Sequence, residues 1–243
     1  MTALAAGQLA RLYALRWVAF PPVVGVGVFA LIAAAVVAAP RESVEGEVQR
    51  IFYIHLPSAL AAYASFALVF GCSVMLLWKR DLRWDAIARS AAGVGVLFTA
   101  FTLATGAIWG RPIWGVYWTW DARLTSTLIL LMLYGGYLLA RSLADPSDEQ
   151  AARYGAVFAI LAFADIPIIN MSVRWWRTLH PQPMVFRGLE GPAMPGEMVI
   201  VLLIGIVAVG LLGAWLIMLR SETELLALRT QSLRARLDRA RGA

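Results

Sequence analysis

The sequence holds two histidines, His55 and His180, and each lies next to aromatic residues outside the most apolar stretches. The densest aromatic cluster runs from Trp114 to Trp120, where three tryptophans and a tyrosine fall close together. Amphipathic rings of this kind are stable at a membrane surface. Such a shelf would suit a flat, largely apolar ligand with charged edges. Because neutral imidazole is a good metal ligand, the combination indicates a flat ligand that carries a metal ion.

Two histidines are too few for a convincing zinc site, but they are the number that holds a haem iron from both faces. The rings of Trp114, Tyr117, Trp118 and Trp120 would then contact the porphyrin. The sequence has no Cys-x-x-Cys-His attachment motif, and we expect haem b as the cofactor. The sequence also has no Gly-x-Ser-x-Gly elbow, Walker phosphate loop or His-Glu-x-x-His pair, so we expect a haem-handling module rather than an enzyme.

Each of these residues also has a less specific interpretation. His55 could be an interfacial histidine in ordinary hydrogen bonds, and the tryptophans could form an interfacial belt. Such belts usually place only about one or two aromatic residues at a helix end, fewer than this loop holds. Arg174 and Arg177 could bind haem propionates or lipid headgroups. Asp121 and Arg123 could organise the aromatic loop by pairing, and Arg123 could also reach a propionate.

The elements that carry these residues are predicted to be membrane-spanning helices. Hydrophobic residues make up 60% of the 243 and charged residues only 15%, whereas about a quarter of a soluble domain is charged. A spanning helix needs roughly 20 apolar residues. Six runs qualify: 17–39, 58–78, 91–109, 123–140, 154–172 and 197–219. The sequence therefore predicts an all-α, polytopic membrane protein with lipid contacts, and its net charge of +6 does not indicate a nucleic-acid partner.

Lysines and arginines are spread unevenly over the connections between these runs. The N-terminus, the second and fourth connections and the tail hold twice as many as the other three connections. The positive-inside rule then places both termini in the cytoplasm, with 40–57, 110–122 and 173–196 facing outward. We expect a membrane domain over 1–220. The remaining 221–243 reads as a basic amphipathic tail on the inner leaflet or against a partner.

Three local features complete the predicted helices. Pro57 suits the first turn of the second span, and Ser147 or Asp148 could cap the fifth. Asp165 falls at apolar depth in the fifth span. An acid in that place is either functional or bonded to backbone groups that a kink at Pro167 would free.

The run from Gly110 to Ser126 resembles the tryptophan-rich WWD motif of haem-handling membrane proteins. The segments 53–57 and 172–180 resemble the histidine regions of one branch, CcmC, the haem exporter protein C of cytochrome c maturation system I. The resemblance extends from about Gln49 to the sixth span and includes the chain length. The Asp-Ala-Arg-Leu-Thr-Ser ending of the motif favours this branch over the larger haem lyase subunit, while Tyr117 departs from the family's usual tryptophan.

The resemblance implies that His55 and His180 are axial ligands of haem at the outer face of the bacterial inner membrane. The loop from Trp114 to Asp121 would hold the porphyrin. It further implies that haem is presented to the membrane-anchored chaperone CcmE, with the ABC-type subunits CcmA and CcmB and the small CcmD as partners, and that this chain has no ATP site. Two other functions stay open: a b-type electron carrier, and a permease subunit with Asp165 lining its path.

Overall fold

The computed structural model describes residues 3–180 and 191–241, with side chains from residue 16 onward except at 235, 236 and 239. Within these residues the helices are α1 (Ala3–Ala33), α2 (Phe52–Lys79), α3 (Leu82–Trp114), α4 (Ala122–Leu143), α5 (Glu149–Phe163), α6 (Asp165–Trp175) and α7 (Gly196–Arg241). A π-helical segment, Ala34–Ala38, continues α1, and a 3-10 turn, Glu47–Ile51, leads into α2. The protein is all-α over the described ranges.

Six helical segments in the described chain are long and apolar enough to cross a membrane. They are Arg16–Ala38, Glu47–Lys79, Leu82–Trp114, Ala122–Leu143, Glu149–Trp175 and Gly196–Arg234. The predicted number and order of spans are therefore confirmed. The cytoplasmic placement of the termini stays a prediction. Several bases behind it, namely Arg11, Arg187, Arg236 and Arg239, lie outside the described side chains, as does the 181–190 part of the outward segment 173–196.

Side-chain caps fix where α3 and α5 begin. Asp81 accepts the backbone N–H of Arg83 at the start of α3. Asp148 accepts from the N–H groups of Gln150 and Ala151 at 2.9 and 3.0 Å, which confirms the cap predicted for the fifth span. An Asp side chain satisfies N–H groups that have no partner inside the first turn.

The fifth span is divided into α5 and α6 at Ala164. Pro167 has no N–H to offer the carbonyl of Phe163, the last residue of α5, so the break falls where a backbone bond is missing. Asn170 donates its side-chain amide to the carbonyl of Ile166 at 3.0 Å. Asp165 has one buried carboxylate oxygen without a hydrogen-bond partner among the described residues.

Pro57 is the sixth residue of α2, not a first-turn residue, so its predicted place is wrong. The helix begins at Phe52, ahead of the apolar run, because a 3-10 turn leads directly into it. Pro57 is buried and cannot donate to the carbonyl of Tyr53. The backbone of α7 takes up the space beside that carbonyl, since a Cβ on Gly205 would lie 2.6 Å from the Tyr53 oxygen. A glycine at this point lets α2 and α7 approach closely.

The core forms where α2 and α3 pack on each other and on α4, α5 and α7. Phe66 of α2 stacks on Tyr134 of α4 with ring centroids 3.9 Å apart, and both side chains are fully buried. At the end of the bundle away from the histidines, buried Asp85 binds Arg141 at 2.8 Å and Arg89 at 3.1 Å. These contacts fix α3 and α4 to each other at that end.

Helix α7 runs without interruption from the last span into the predicted tail. Its 46 residues correspond to about 69 Å, roughly twice the thickness of a bilayer's hydrocarbon core. Glu224 pairs with Arg89 at 3.0 Å, and Glu222 pairs with Arg16, so the helix is attached to α3 and α1 near this point. Whether the tail contacts the membrane or a partner stays a prediction.

Candidate functional site

Three chain segments meet at the end of the bundle that carries the histidines. They are the start of α2, the connection between α3 and α4, and the chain that follows α6. The His55 ring contacts Thr105 on α3, and the backbone N–H of Leu179 donates to Asp121 at 3.0 Å. The two predicted ligand histidines therefore lie at one end of the molecule.

His55 is the fourth residue of α2, and residues of α3 hold its ring. Its Nδ1 lies 3.1 Å from the Thr105 hydroxyl oxygen, which itself donates to the carbonyl of Phe101 at 2.8 Å. With the hydroxyl hydrogen donated to that carbonyl, Thr105 accepts from His55 in the tautomer that carries its hydrogen on Nδ1. The lone pair then belongs to Nε2, the nitrogen left for a metal. Gly106 provides the room, since a Cβ there would lie 3.1 Å from the ring. The Trp109 ring is 5.6 Å away, edge to face.

His180 follows α6 and faces the aromatic loop. Its ring lies 5.1 Å from the Trp114 ring and its Nδ1 lies 3.7 Å from Asp121 Oδ1, beyond hydrogen-bond distance. Burial lowers the pKa of His180 to about 4, and the charge of Arg123 acts in the same direction while Asp121 opposes both. The Thr178 hydroxyl accepts the backbone N–H of His180 at 3.1 Å. His180 is therefore neutral near pH 7, as a metal ligand must be.

Asp121 joins the aromatic loop to the chain before His180. One carboxylate oxygen accepts the backbone N–H groups of Arg123 and Leu124 at 2.8 and 3.2 Å, which caps α4. The other accepts the N–H of Leu179 and the Thr178 hydroxyl. Burial alone would raise the pKa of Asp121, but hydrogen bonds from Thr178, Leu124 and Leu179 and the nearby imidazole lower it. Asp121 is therefore a carboxylate that connects two segments.

The expected ion pair between Asp121 and Arg123 is not among the contacts of the described residues. The helix start turns the Asp121 carboxylate toward backbone N–H groups instead. The Arg123 guanidinium lies near Tyr63 of α2, and its charge helps to keep the pKa of His180 low. Sequence reasoning missed Tyr63 and Thr105 as site residues. The sequence does place the Tyr63 hydroxyl about two helical turns after His55, and this spacing could have pointed to it.

The aromatic loop presents much of its ring surface outward. Tyr117 is 62% exposed and Trp120 is 76% exposed, and Trp120 meets Trp118 edge to face at 5.6 Å. The Arg111 guanidinium lies 5.6 Å above the Tyr117 ring. The Trp118 indole N–H is buried without a hydrogen-bond partner among the described residues. Trp114 differs from the others because it is the last residue of α3, not a loop residue.

A second aromatic pair, Trp175 and Trp176, lies at the end of α6. Their rings meet edge to face at 5.7 Å, and each is more than half exposed. Arg174 and Arg177 beside them are exposed as well. Exposed apolar surface of this extent at one end of a protein indicates a binding surface or a lipid contact.

The two histidines at this end of the bundle suit a metal ion that another molecule already coordinates. Within 3–180 and 191–241, no group of three or more His, Cys, Asp and Glu side chains is placed to hold a metal ion. Two imidazoles are sufficient for iron in a porphyrin, which supplies its own four nitrogens. The unpaired His180 Nδ1, the unpaired Trp118 N–H and the exposed rings are consistent with such a ligand.

Comparisons with known proteins identify the family of this chain. The model of the family described as heme exporter protein C, CcmC, matches residues 2–236. The heme exporter protein C of Bradyrhizobium diazoefficiens is 39% identical over 197 residues, which are 80% of this chain and 73% of that protein. That of Haemophilus influenzae is 38% identical over 192 residues, 77% of this chain and 76% of that protein.

A putative cytochrome c biosynthesis ccmC-like mitochondrial protein of Marchantia polymorpha is 40% identical over 142 residues, 58% of this chain and 59% of that protein. The similarity thus reaches beyond bacteria. The family model covers nearly the whole chain, and the bacterial relatives align over most of both lengths. This chain belongs to the heme exporter protein C (CcmC) family.

Proposed function

We propose that this protein binds haem b between His55 and His180 and presents it to a haem chaperone during maturation of c-type cytochromes. One observation carries the proposal: the chain's two histidines lie at the same end of the bundle, and Asp121 ties the segment of one of them to the aromatic loop. Membership of the heme exporter protein C family supports haem as the ligand.

The site residues divide into three roles. The Nε2 atoms of His55 and His180 would coordinate the iron, whose coordination bonds supply a reversible attachment. The rings of Trp114, Tyr117, Trp118 and Trp120 would cover the porphyrin. Arg123, and Arg111 above the Tyr117 ring, would bind the propionates by charge-assisted hydrogen bonds. Asp121 would hold the loop and the His180 segment in register with each other.

The protein acts, in this proposal, as a module without an active site of its own. It is a multi-pass protein of the bacterial inner membrane, with the histidine end outside. The exposed rings of Trp120, Tyr117 and Trp175 are suited to a partner that must reach bound haem. That partner is CcmE, and CcmA, CcmB and CcmD complete the assembly. ATP hydrolysis belongs to CcmA and CcmB, so this chain contributes the haem platform.

The axial ligation can be tested by replacing each histidine with glycine and by adding imidazole. The chain has two histidines, so no third one can substitute. We expect His55→Gly and His180→Gly each to reduce the haem that purifies with the protein and to shift its absorption from the low-spin form. Added imidazole should restore the spectrum if the fold is intact. Trp78→Ala, a change to an exposed ring at the other end of α2, serves as the control. Unchanged spectra in both glycine variants would exclude axial ligation.

A further inference from the structure

The ring nitrogens that face away from the proposed iron site have chemically different neighbours. His55 Nδ1 is bound at 3.1 Å by Thr105, a neutral hydroxyl whose hydrogen is used by the carbonyl of Phe101. His180 Nδ1 lies 3.7 Å from the Asp121 carboxylate and has no closer partner among the described residues. A small rotation of the His180 ring would bring it within hydrogen-bond distance of Asp121.

This difference affects how strongly each imidazole donates to a metal. A carboxylate that accepts the Nδ1–H makes the opposite nitrogen more basic and strengthens its bond to the metal. A neutral hydroxyl has a smaller effect, because it bears no charge and its own hydrogen is donated elsewhere. His180 should therefore be the stronger ligand and His55 the weaker one.

The two histidines also differ in how freely they can follow a moving ligand. His55 belongs to a helix, and its ring is confined by Gly106, where an added Cβ would lie 3.1 Å away, and by the Trp109 ring. His180 stands on non-helical chain after α6, held through Thr178 and Asp121. Backbone hydrogen bonds of α2 fix the position of His55, whereas the position of His180 depends on the side chains of Thr178 and Asp121.

We propose that His180, supported by Asp121, is the ligand that keeps haem during transfer, and that His55, supported by Thr105, is the ligand that is exchanged. The inference rests on the proposed function, since both residues must first be ligands. His55 would then release the iron before His180 does. Asp121 and Thr105 act as positioning residues that set the order of release.

Two single variants separate the ligands. His55→Gly retains His180, and His180→Gly retains His55. We expect haem to pass to apomyoglobin about 10- to 100-fold faster from His180→Gly than from His55→Gly, the range typical for loss of a residue that supports a metal ligand. In the ferrous proteins, the iron–histidine stretching frequency measured by resonance Raman should be higher in His55→Gly. Adding Asp121→Asn should lower it there and leave it unchanged in His180→Gly.

If neither glycine variant holds haem, the full pair of histidines still tests the inference. Asp121→Asn, which keeps an N-cap, should raise the reduction potential of bound haem by more than Thr105→Val does. Asp148→Asn is the matched control, because Asp148 caps α5 with two backbone N–H bonds and touches neither histidine. Equal shifts in Asp121→Asn and Thr105→Val, or equal transfer rates and frequencies in the glycine variants, would overturn the inference and leave ligation intact. Haem unaffected by both histidine changes would instead remove the proposed function itself.

Discussion

Replacing Gly106 with alanine should weaken haem binding without unfolding the protein. The added methyl group would lie 3.1 Å from Cε1 and 3.6 Å from Nδ1 of His55, where ordinary contacts begin at 3.4 Å. The ring must therefore move by about 0.3 Å, which exceeds the roughly 0.2 Å that metal–ligand distances allow. We expect this movement to weaken the Thr105 bond to Nδ1, which is 3.1 Å long in the native protein. A net hydrogen bond is worth about 1 kcal/mol, so we expect haem affinity to fall about five- to tenfold.

The stability of the same variant should change little. Alanine is better than glycine inside a helix by about 1 kcal/mol, which offsets much of an overpacking cost of about 1–3 kcal/mol. Gly136→Ala is the matched control, because a Cβ there meets nothing within 4 Å. Haem titration followed by absorption, with thermal unfolding of the haem-free protein beside it, distinguishes the two effects. Unaltered haem affinity and spectrum in Gly106→Ala would contradict the placement of the His55 ring.

Two further changes test the packing that supports the site. Gly205→Ala would put a methyl group 2.6 Å from the backbone oxygen of Tyr53, which cannot turn aside, and should cost about 3 kcal/mol in thermal unfolding. Gly210→Ala, on the same helix with open space, should not. Asp85→Ala would leave the buried Arg141 guanidinium without its carboxylate partner and should cost about 3–5 kcal/mol, measured by denaturant unfolding. A loss below about 1 kcal/mol in either variant would show that the neighbouring helices adjust freely.

Much of the fold follows from the sequence because hydrophobic length is a strong signal. A run of roughly 20 apolar residues has few stable alternatives to a spanning helix, and all six predicted spans are present in the described residues. The positions at which the helices begin and end follow less directly from the sequence. α2 begins at Phe52 and α3 ends at Trp114, both beyond the apolar runs, because a helix continues wherever its backbone hydrogen bonds are satisfied and not only where its side chains are apolar.

The candidate site was only partly accessible to the same reasoning. His55, His180 and the aromatic loop could be singled out by residue type, and whether they bind haem stays a proposal. The hydrogen-bond partners of Asp121 could not be predicted from the sequence, because Thr178 lies 57 positions away and only the fold brings the two together. Thr105 looked like an ordinary helix threonine, since its hydroxyl bonds its own helix, and the contact with His55 depends on how α2 meets α3.

The uninterrupted course of α7 has a mechanical consequence. A single helix of 46 residues is a stiff rod, and closely packed interiors transmit strain. Its near part packs at Gly205 beside the carbonyl of Tyr53, two positions before His55, and its far part is attached through Glu224 to Arg89. A force that tilts the distal end of α7 would therefore also act on the first turn of α2, which carries His55.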